Sequence, residues 1–355
     1  MENPGKGKRC RSAGSPPETY FHAAHLIPMS HGNGHSRLPI DVIDLQFPQV
    51  VDIPPPLPPK RPLWPAVGMF LLTVLTTLAV GSQLASSYAN NEAPFSNVDN
   101  PFTMIWQPIA HPSVLLLGIP FSFTLLGILF AHEMGHYIAS KLYRIDVSYP
   151  MFIPAPNFFG TFGAFIRIRS PFPTRRALFD VGIAGPIAGF IVAIPAIAYS
   201  VYAAKIVPDA QTNADLLLGI PPLVKIFAVL FHPNVPVRWL LLNPVGCAAW
   251  FGLFATALNL LPIWQLDGGH ILYSLANEGH RRISIALSLV LIALGMQWLG
   301  WALWGFILLV LTLRFRHPPV MNRWEYLDGS RQLLAVVALA IFALCFTLVP
   351  LITPQ

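Results

Sequence analysis

One segment of the sequence, residues 113–140, combines a membrane-spanning length with three polar side chains. A helix that crosses the hydrocarbon core of a bilayer needs about 20 apolar residues, and apolar residues surround His132, Glu133 and His136 in this segment. A charged side chain in the middle of such a helix costs roughly 2.5–3.5 kcal/mol. The segment is therefore predicted to be a membrane helix whose polar side chains have a function.

The composition extends the membrane prediction to the whole chain. Of its 355 residues, 54% are hydrophobic and only 11% are charged, whereas soluble domains carry about 25% charged residues. The net charge of +6 comes from basic residues beside apolar runs, which is typical of membrane topology and not of nucleic-acid binding. The expected fold is an all-α polytopic protein with six to seven transmembrane helices in the lipid bilayer and no nucleic-acid partner.

The chain divides into three predicted regions. Residues 1–62 are polar and proline-rich and contain four histidines, which predicts a largely disordered cytosolic tail and not a metal site. Residues 63–282 are predicted to form the membrane-embedded core, and residues 283–355 the C-terminal membrane helices. Within the core, the apolar runs predict helices at about 63–87, 113–140, 177–204 and 241–262.

Charged residues between the helices predict the orientation of the chain. Residues 88–112 contain acidic but no basic side chains, whereas residues 141–176 contain six arginines and lysines. The positive-inside rule then places the second loop and the N-terminal tail on the cytosolic side. Because Arg282 and Arg314 bracket an apolar run too long for one helix, a hairpin that turns near Trp298 is predicted there, followed by a last helix at about 332–350.

A short stretch after the second helix, residues 158–169, predicts a β-strand or hairpin. Alternation places Phe165 on one face of it, and Gly160 and Gly163 allow tight turning or close approach of the backbone. Two interpretations stay open: an ordinary connecting hairpin, or an edge strand that binds an extended substrate by backbone pairing.

The polar residues of the second helix follow the pattern His-Glu-x-x-His. Residues four apart lie on one face of a helix, so His132 and His136 can direct two imidazoles at one metal ion. Glu133 then lies beside the metal as a candidate general base. This arrangement is typical of zinc proteases.

A zinc site with two histidines needs a third protein ligand and one open position. Four side chains are candidates: Asp267, His270, Glu278 and His280. The predicted topology brings the end of the fourth helix to the same membrane depth as the histidines. Asp267 is closest to that end, and Gly268-Gly269 allow a sharp turn, so Asp267 is favoured over its main rival, His270.

A second motif, Asn259-Leu260-Leu261-Pro262 followed by Asp267-Gly268, joins the His-Glu-x-x-His sequence. Together they resemble the site-2 protease family of intramembrane zinc metalloproteases, over residues 113–282. The resemblance implies one Zn²⁺ per chain held by His132, His136 and Asp267, with Glu133 activating water. It also suggests Asn259 and the 158–169 strand, with Gly160, Gly163 and Phe165, as substrate-binding elements.

The function implied by this resemblance is cleavage of a single-pass membrane protein within or near its transmembrane helix, either to release a regulator or to clear membrane peptides. The chain has no insertion long enough for a PDZ domain and resembles the branches that lack one. A bacterial inner membrane or a plastid membrane is expected, with the active site toward the cytosolic side. Two alternatives are a metal transporter and an inactive scaffold. The clustering of the polar residues at one depth disfavours the transporter, and the intact Glu133 disfavours the scaffold.

Overall fold

The computed structural model describes residues 63–96, 106, 108–208, 216–276, 279–322 and 324–353. The predictions for the tail, residues 1–62, and for Glu278 lie outside these residues.

The first half of the described chain consists mainly of three long apolar helical segments. Helix α1 covers Trp64–Ala89, a short α2 covers Pro112–Leu115 and leads through a 3₁₀ turn into α3, Ile119–Leu142, and α4 covers Arg175–Tyr202. Helix α1, the continuous segment 112–142 and α4 are each long and apolar enough to cross a membrane. The helical, membrane-compatible architecture predicted from the apolar runs is thus confirmed.

Shorter helices make up most of the second half. They are α5 (Pro222–Phe231), α6 (Pro244–Asn259), α7 (Asp267–Ala276), α8 (His280–Leu294), α9 (Leu299–Arg314) and α10 (Gly329–Cys345). The predicted hairpin is present as α8 and α9, which turn at residues 295–298. Two predicted ends are wrong: α6 stops at Asn259 and not at 262, and α10 stops at Cys345 and not at 350.

Small antiparallel sheets connect the helices. Strand β1 (Met151–Pro154) pairs with β2 (Thr161–Phe165), β3 (Lys205–Ile206) pairs with β5 (Leu240–Leu241), and β4 (Leu217–Leu218) pairs with β6 (Leu351–Ile352). The β-hairpin expected after the second long helix is therefore present, but its bounds differ from the prediction. Only residues 161–165 of the predicted stretch form a strand, and the partner strand lies upstream of it.

The crossing of α3 and α4 forms the centre of the fold. A side chain at Gly135 of α3 would place its Cβ 2.4 Å from the carbonyl oxygen of Ala184 in α4, so glycine lets the two backbones touch. Small residues at such crossings are how membrane helices approach closely. Thr174 starts α4 by accepting a hydrogen bond from the backbone N–H of Ala177 at 3.1 Å, as an N-cap residue does.

Candidate metal centre

The two histidines of the His-Glu-x-x-His sequence lie on one face of α3. His132 and His136 are 5% and 7% exposed, and their Nε2 atoms lie 3.2 Å apart. Because the helix rises 5.4 Å per turn, this close pair requires both rings to turn toward a common point. The geometry is the one that the spacing predicts.

The orientation of His136 is set by α4. Its Nδ1–H donates a hydrogen bond of 2.7 Å to the backbone carbonyl of Val181, which leaves Nε2 unprotonated and facing the centre. A Cβ at Gly185 would lie 2.1 Å from that same Nε2, and a Cβ at Gly189 would lie 3.2 Å from Nδ1 of His132. Gly185 and Gly189, four residues apart on α4, therefore leave room for the two imidazoles.

Asp267 reaches the histidines from the first residue of α7. Its Oδ2 lies 3.1 Å from Nε2 of His132 and 3.3 Å from Nε2 of His136. Residues 260–266 turn between α6 and α7, and a Cβ at Gly268 would lie 2.1 Å from the carbonyl oxygen of Leu260. Both Gly268 and Gly269 are helical and lack positive φ, so their role is close backbone approach and not the sharp turn expected from the sequence.

These three donors have the spacing that a zinc ion requires. Two ligands on a tetrahedral ion with bonds of about 2.1 Å lie about 3.4 Å apart, and the three observed spacings are 3.1–3.3 Å. The carboxylate of Asp267 and the unprotonated Nε2 of His136 are both acceptors, and a cation stabilises two acceptors held this close. Among the described residues, this is the one group of three that meets the distance requirement for a metal ion.

Glu133 lies beside the donors and is 6% exposed. The backbone amide of Ile166, the residue that follows β2, faces its carboxylate. The end of β2 therefore lies next to the candidate general base.

The predicted substrate-binding residues divide into two groups. The amide Nδ2 of Asn259 lies 3.3 Å from Nε2 of His132, so this side chain points into the centre. Gly163 has an open position with a φ of +99°, and Phe165 is exposed. Gly160 is instead packed against α1, where its carbonyl oxygen accepts a hydrogen bond of 2.6 Å from Thr76.

The rivals of Asp267 have other partners. His270 donates from Nδ1 to Nε2 of His317 at 2.8 Å, because Nδ1–H of His317 is used by the carbonyl of Pro318. His280 donates from Nε2 to the carbonyl of Trp264 at 3.1 Å. Neither histidine joins the donor cluster.

Sequence reasoning missed several residues that support the centre. Arg175 caps the last turn of α7 through the carbonyls of Ser274 and Leu275, which fixes the helix that begins with Asp267. In the sequence analysis, Arg175 was used only as one of the basic residues that predict the orientation of the chain in the membrane. The sequence could not identify Val181 as the partner of His136, because the bond uses a backbone carbonyl and every residue has one.

An ion pair outside the donor cluster fixes α4 from its other side. Arg331 in α10 donates from Nε to Asp180 at 2.8 Å, and Asp180 also accepts from the hydroxyl of Tyr143 at 2.5 Å. Burial and this bond to Asp180 raise the pKa of Tyr143 above its ordinary value. Asp180 directly precedes Val181, so the network holds the segment that orients His136.

Comparisons with known proteins agree with the chemistry of this centre. The sequence profile of "Peptidase family M50" matches residues 120–297, half of the chain. The chain is 29% identical over 305 residues to "Probable zinc metalloprotease EGY1, chloroplastic" of Arabidopsis thaliana, covering 80% of this chain and 52% of that protein. It is 26% identical over 291 residues to "Probable zinc metalloprotease EGY2, chloroplastic" of the same plant, covering 78% and 48%.

The chain thus spans about half the length of the curated relatives it matches. Among solved structures, it is similar to "Site-2 Protease from Methanocaldococcus jannaschii", with 17% identity over 62% of this chain and 87% of that chain and a TM-score of 0.34.

Proposed function

Because the chain belongs to peptidase family M50, we propose that it is an intramembrane zinc endopeptidase. In this proposal it hydrolyses a peptide bond within or beside a membrane helix of a substrate protein. The observation that carries the proposal is the convergence of His132, His136 and Asp267 within 3.3 Å of one another, with Glu133 beside them, on a helix of membrane-spanning length.

His132, His136 and Asp267 are the residues that would hold zinc. When bound, zinc supplies Lewis acidity, which makes water more acidic and a peptide carbonyl more electrophilic. Glu133 and Asn259 lie beside these three donors without belonging to them, so both would be free to act on substrate.

Glu133 serves as the general base and acid. Its carboxylate accepts the proton of the attacking water and then donates it to the nitrogen of the leaving amine, so the residue ends the cycle in its starting state. Burial at 6% exposure keeps bulk water from competing for this proton. The amide of Asn259 is placed to donate a hydrogen bond to the oxygen of the scissile carbonyl.

A helical substrate must unwind before it can be cut, because a helix already uses its own carbonyl groups in hydrogen bonds. Strand β2 is suited to hold the unwound segment. In the described structure β2 pairs with β1 on one edge only, and it ends at Phe165, directly before Ile166, whose backbone amide faces Glu133. An extended substrate that adds to the free edge would deliver its backbone to the centre, past Gly163 and the exposed Phe165.

The chain is a multi-pass membrane protein, and we propose that its metal centre lies toward the cytosolic side, or the corresponding side of a plastid membrane. The basic residues of 141–176 support this orientation. The centre lies in the last part of α3, close to those residues.

The first experiment replaces the general base with an isosteric amide. Glu133→Gln should retain zinc and lose cleavage of a single-pass model substrate in proteoliposomes by about 10²- to 10⁴-fold, the usual contribution of acid–base catalysis. Glu92→Gln, the same change in the connection after α1, is the matched control and should cleave normally. Zinc content is measured by elemental mass spectrometry on each purified variant.

Two results would contradict the mechanism. Full cleavage by Glu133→Gln would remove Glu133 from the chemistry. A zinc-loaded wild type that cuts no membrane substrate, including the segments that accumulate in cells expressing Glu133→Gln, would favour an inactive scaffold.

A second experiment tests the edge strand. A photo-reactive amino acid at Phe162 of β2, which is 72% exposed, should crosslink to residues flanking the scissile bond of the substrate. The same probe at Tyr202, which is 69% exposed at the far end of α4, is the control. Equal crosslinking from both positions would contradict docking on β2.

A further inference from the structure

A polar cavity of about 330 Å³ lies at the open end of the α8–α9 hairpin. Its walls come from the start of α8, the end of α9, the loop after α9, the turn between α6 and α7, and α7 itself through Tyr273. Arg281 and Arg316 are its charged lining residues, and none of the side chains that line it, among the described residues, is acidic. The cavity is therefore positively charged.

The histidines in the wall are already committed to other bonds. His280 uses Nε2–H for the carbonyl of Trp264. His317 uses Nδ1–H for the carbonyl of Pro318 and accepts at Nε2 from His270. Burial, followed by the nearby His270, lowers the pKa of His317 to about 3, so the ring is neutral near pH 7. The two guanidinium groups carry the charge of the cavity.

Two buried polar groups of the wall lack a protein partner. Thr312 is 3% exposed and its hydroxyl makes no hydrogen bond, and Nε1 of Trp264 makes none either. A buried polar group left unpaired destabilises the fold, and such groups are rare in folded proteins. Both belong to residues that line the cavity but are closed to solvent there, so an oxygen-rich ligand reaches them once their side chains turn toward it.

The surface beside the cavity is apolar and exposed. Phe306, Val310 and Leu313 lie along one face of α9 at helical spacing and are 59%, 45% and 53% exposed. Phe315, the residue after α9, is 50% exposed and lines the cavity itself. A ligand with a charged head and long apolar chains would place its head in the cavity and its chains along α9.

From these contacts we propose that the cavity binds the phosphate group of an anionic membrane phospholipid. Arg281 and Arg316 pair with the phosphate oxygens, and Thr312 and Trp264 donate the two remaining hydrogen bonds. The site is separate from the metal centre. It shares with it the turn between α6 and α7, to which Trp264 belongs.

The test measures binding of dioctanoyl phosphatidylglycerol to the purified full chain in a neutral detergent by native mass spectrometry. Arg281→Gln/Arg316→Gln should bind this lipid at least tenfold more weakly than the wild type, since a hydrogen bond to a charged group contributes about 1.5–3 kcal/mol. Arg282→Gln/Arg314→Gln is the matched control, because it removes the same charge from the same helix ends outside the cavity, and it should change binding less than threefold.

A third variant avoids any change of charge. Thr312→Val keeps the volume of the side chain and removes a hydroxyl that has no protein partner, so the melting temperature should not fall while lipid affinity falls about threefold to fivefold. If the two double-arginine variants lost lipid affinity equally, the proposed site would be overturned, because the lipid would then be attracted by positive charge in general. If inorganic phosphate alone bound as tightly as the lipid, the cavity would be a site for free phosphate. That result would overturn the proposal of a lipid ligand and keep only the recognition of phosphate oxygens.

Discussion

The lack of space around Gly185 predicts that one methyl group added to α4 strongly weakens zinc binding. The ideal Cβ at Gly185 would lie 2.1 Å from Nε2 of His136 and 2.5 Å from its two neighbouring ring carbons. Ordinary contact begins near 3.4 Å, so Gly185→Ala must displace the ring by about 1.3 Å. Helix α4 cannot retreat freely, because α6 and α7 also pack against it.

The expected loss follows from the geometry of zinc. A zinc site tolerates errors of only about 0.2 Å in its bonds, so the displaced His136 no longer serves as a ligand. Binding energies of about 10–16 kcal/mol for four-ligand sites correspond to about 2.5–4 kcal/mol for each ligand. Gly185→Ala should therefore lower zinc affinity by roughly 100-fold or more.

The assay is competition for zinc against a chromogenic chelator in detergent, followed by cleavage of the model substrate. Gly127→Ala, in the same membrane helix as the histidines but with nothing within 4 Å of its Cβ, is the matched control and should bind zinc normally. Gly189→Ala, with a milder contact of 3.2 Å to His132, should give an intermediate loss. Wild-type zinc affinity in Gly185→Ala would refute the reasoning.

Three further predictions concern the neighbours of the centre. Asp267→Ala should lose zinc whereas His270→Ala should retain it, as elemental analysis of the two purified variants would report; the reverse pattern would exchange their roles. Arg331→Met should lower the unfolding free energy by about 1–3 kcal/mol by leaving Asp180 half-buried without its cation, and adding Asp180→Asn should recover part of that loss in thermal melts. The lowered pKa of His317 means that the folded chain leaves this ring neutral while the unfolded chain protonates it near pH 6.5. Stability is thus complete above pH 6.5 and declines toward pH 3, and His317→Gln should flatten the decline by about 1.4 kcal/mol per pH unit; an unchanged slope would contradict burial of a neutral ring.

The helices and the donor cluster differ in how they could be predicted from the sequence. Long uncharged runs predict helices because a bilayer admits few alternatives. The spacing of His132 and His136 predicts a shared face because helical geometry is fixed. Asp267 was predicted as the third ligand from the topology. The charge pattern predicted that the fourth apolar run ends at the same membrane depth as the histidines.

The parts that were missed depend on tertiary contact. Helix α7 begins Asp-Gly-Gly, and glycine disfavours helix formation by about 1 kcal/mol. These glycines are there because Leu260 and Trp264 pack directly on the backbone, and a linear pattern does not contain that contact. Strand β1 includes Pro154 and has no alternation of its own, so only its pairing with β2 identifies it.

The order of the three candidate metal donors along the chain has a consequence for the time at which the centre is completed. Asp267 follows His132 by 135 residues, and at about 5–20 residues per second a ribosome needs roughly 7–27 s to make that stretch. During this interval the nascent protein carries the two histidines and Glu133 in the membrane without their carboxylate partner. The newborn chain therefore lacks its third donor, and under the proposed function it becomes active only after α4 and α6 have been inserted beside α3.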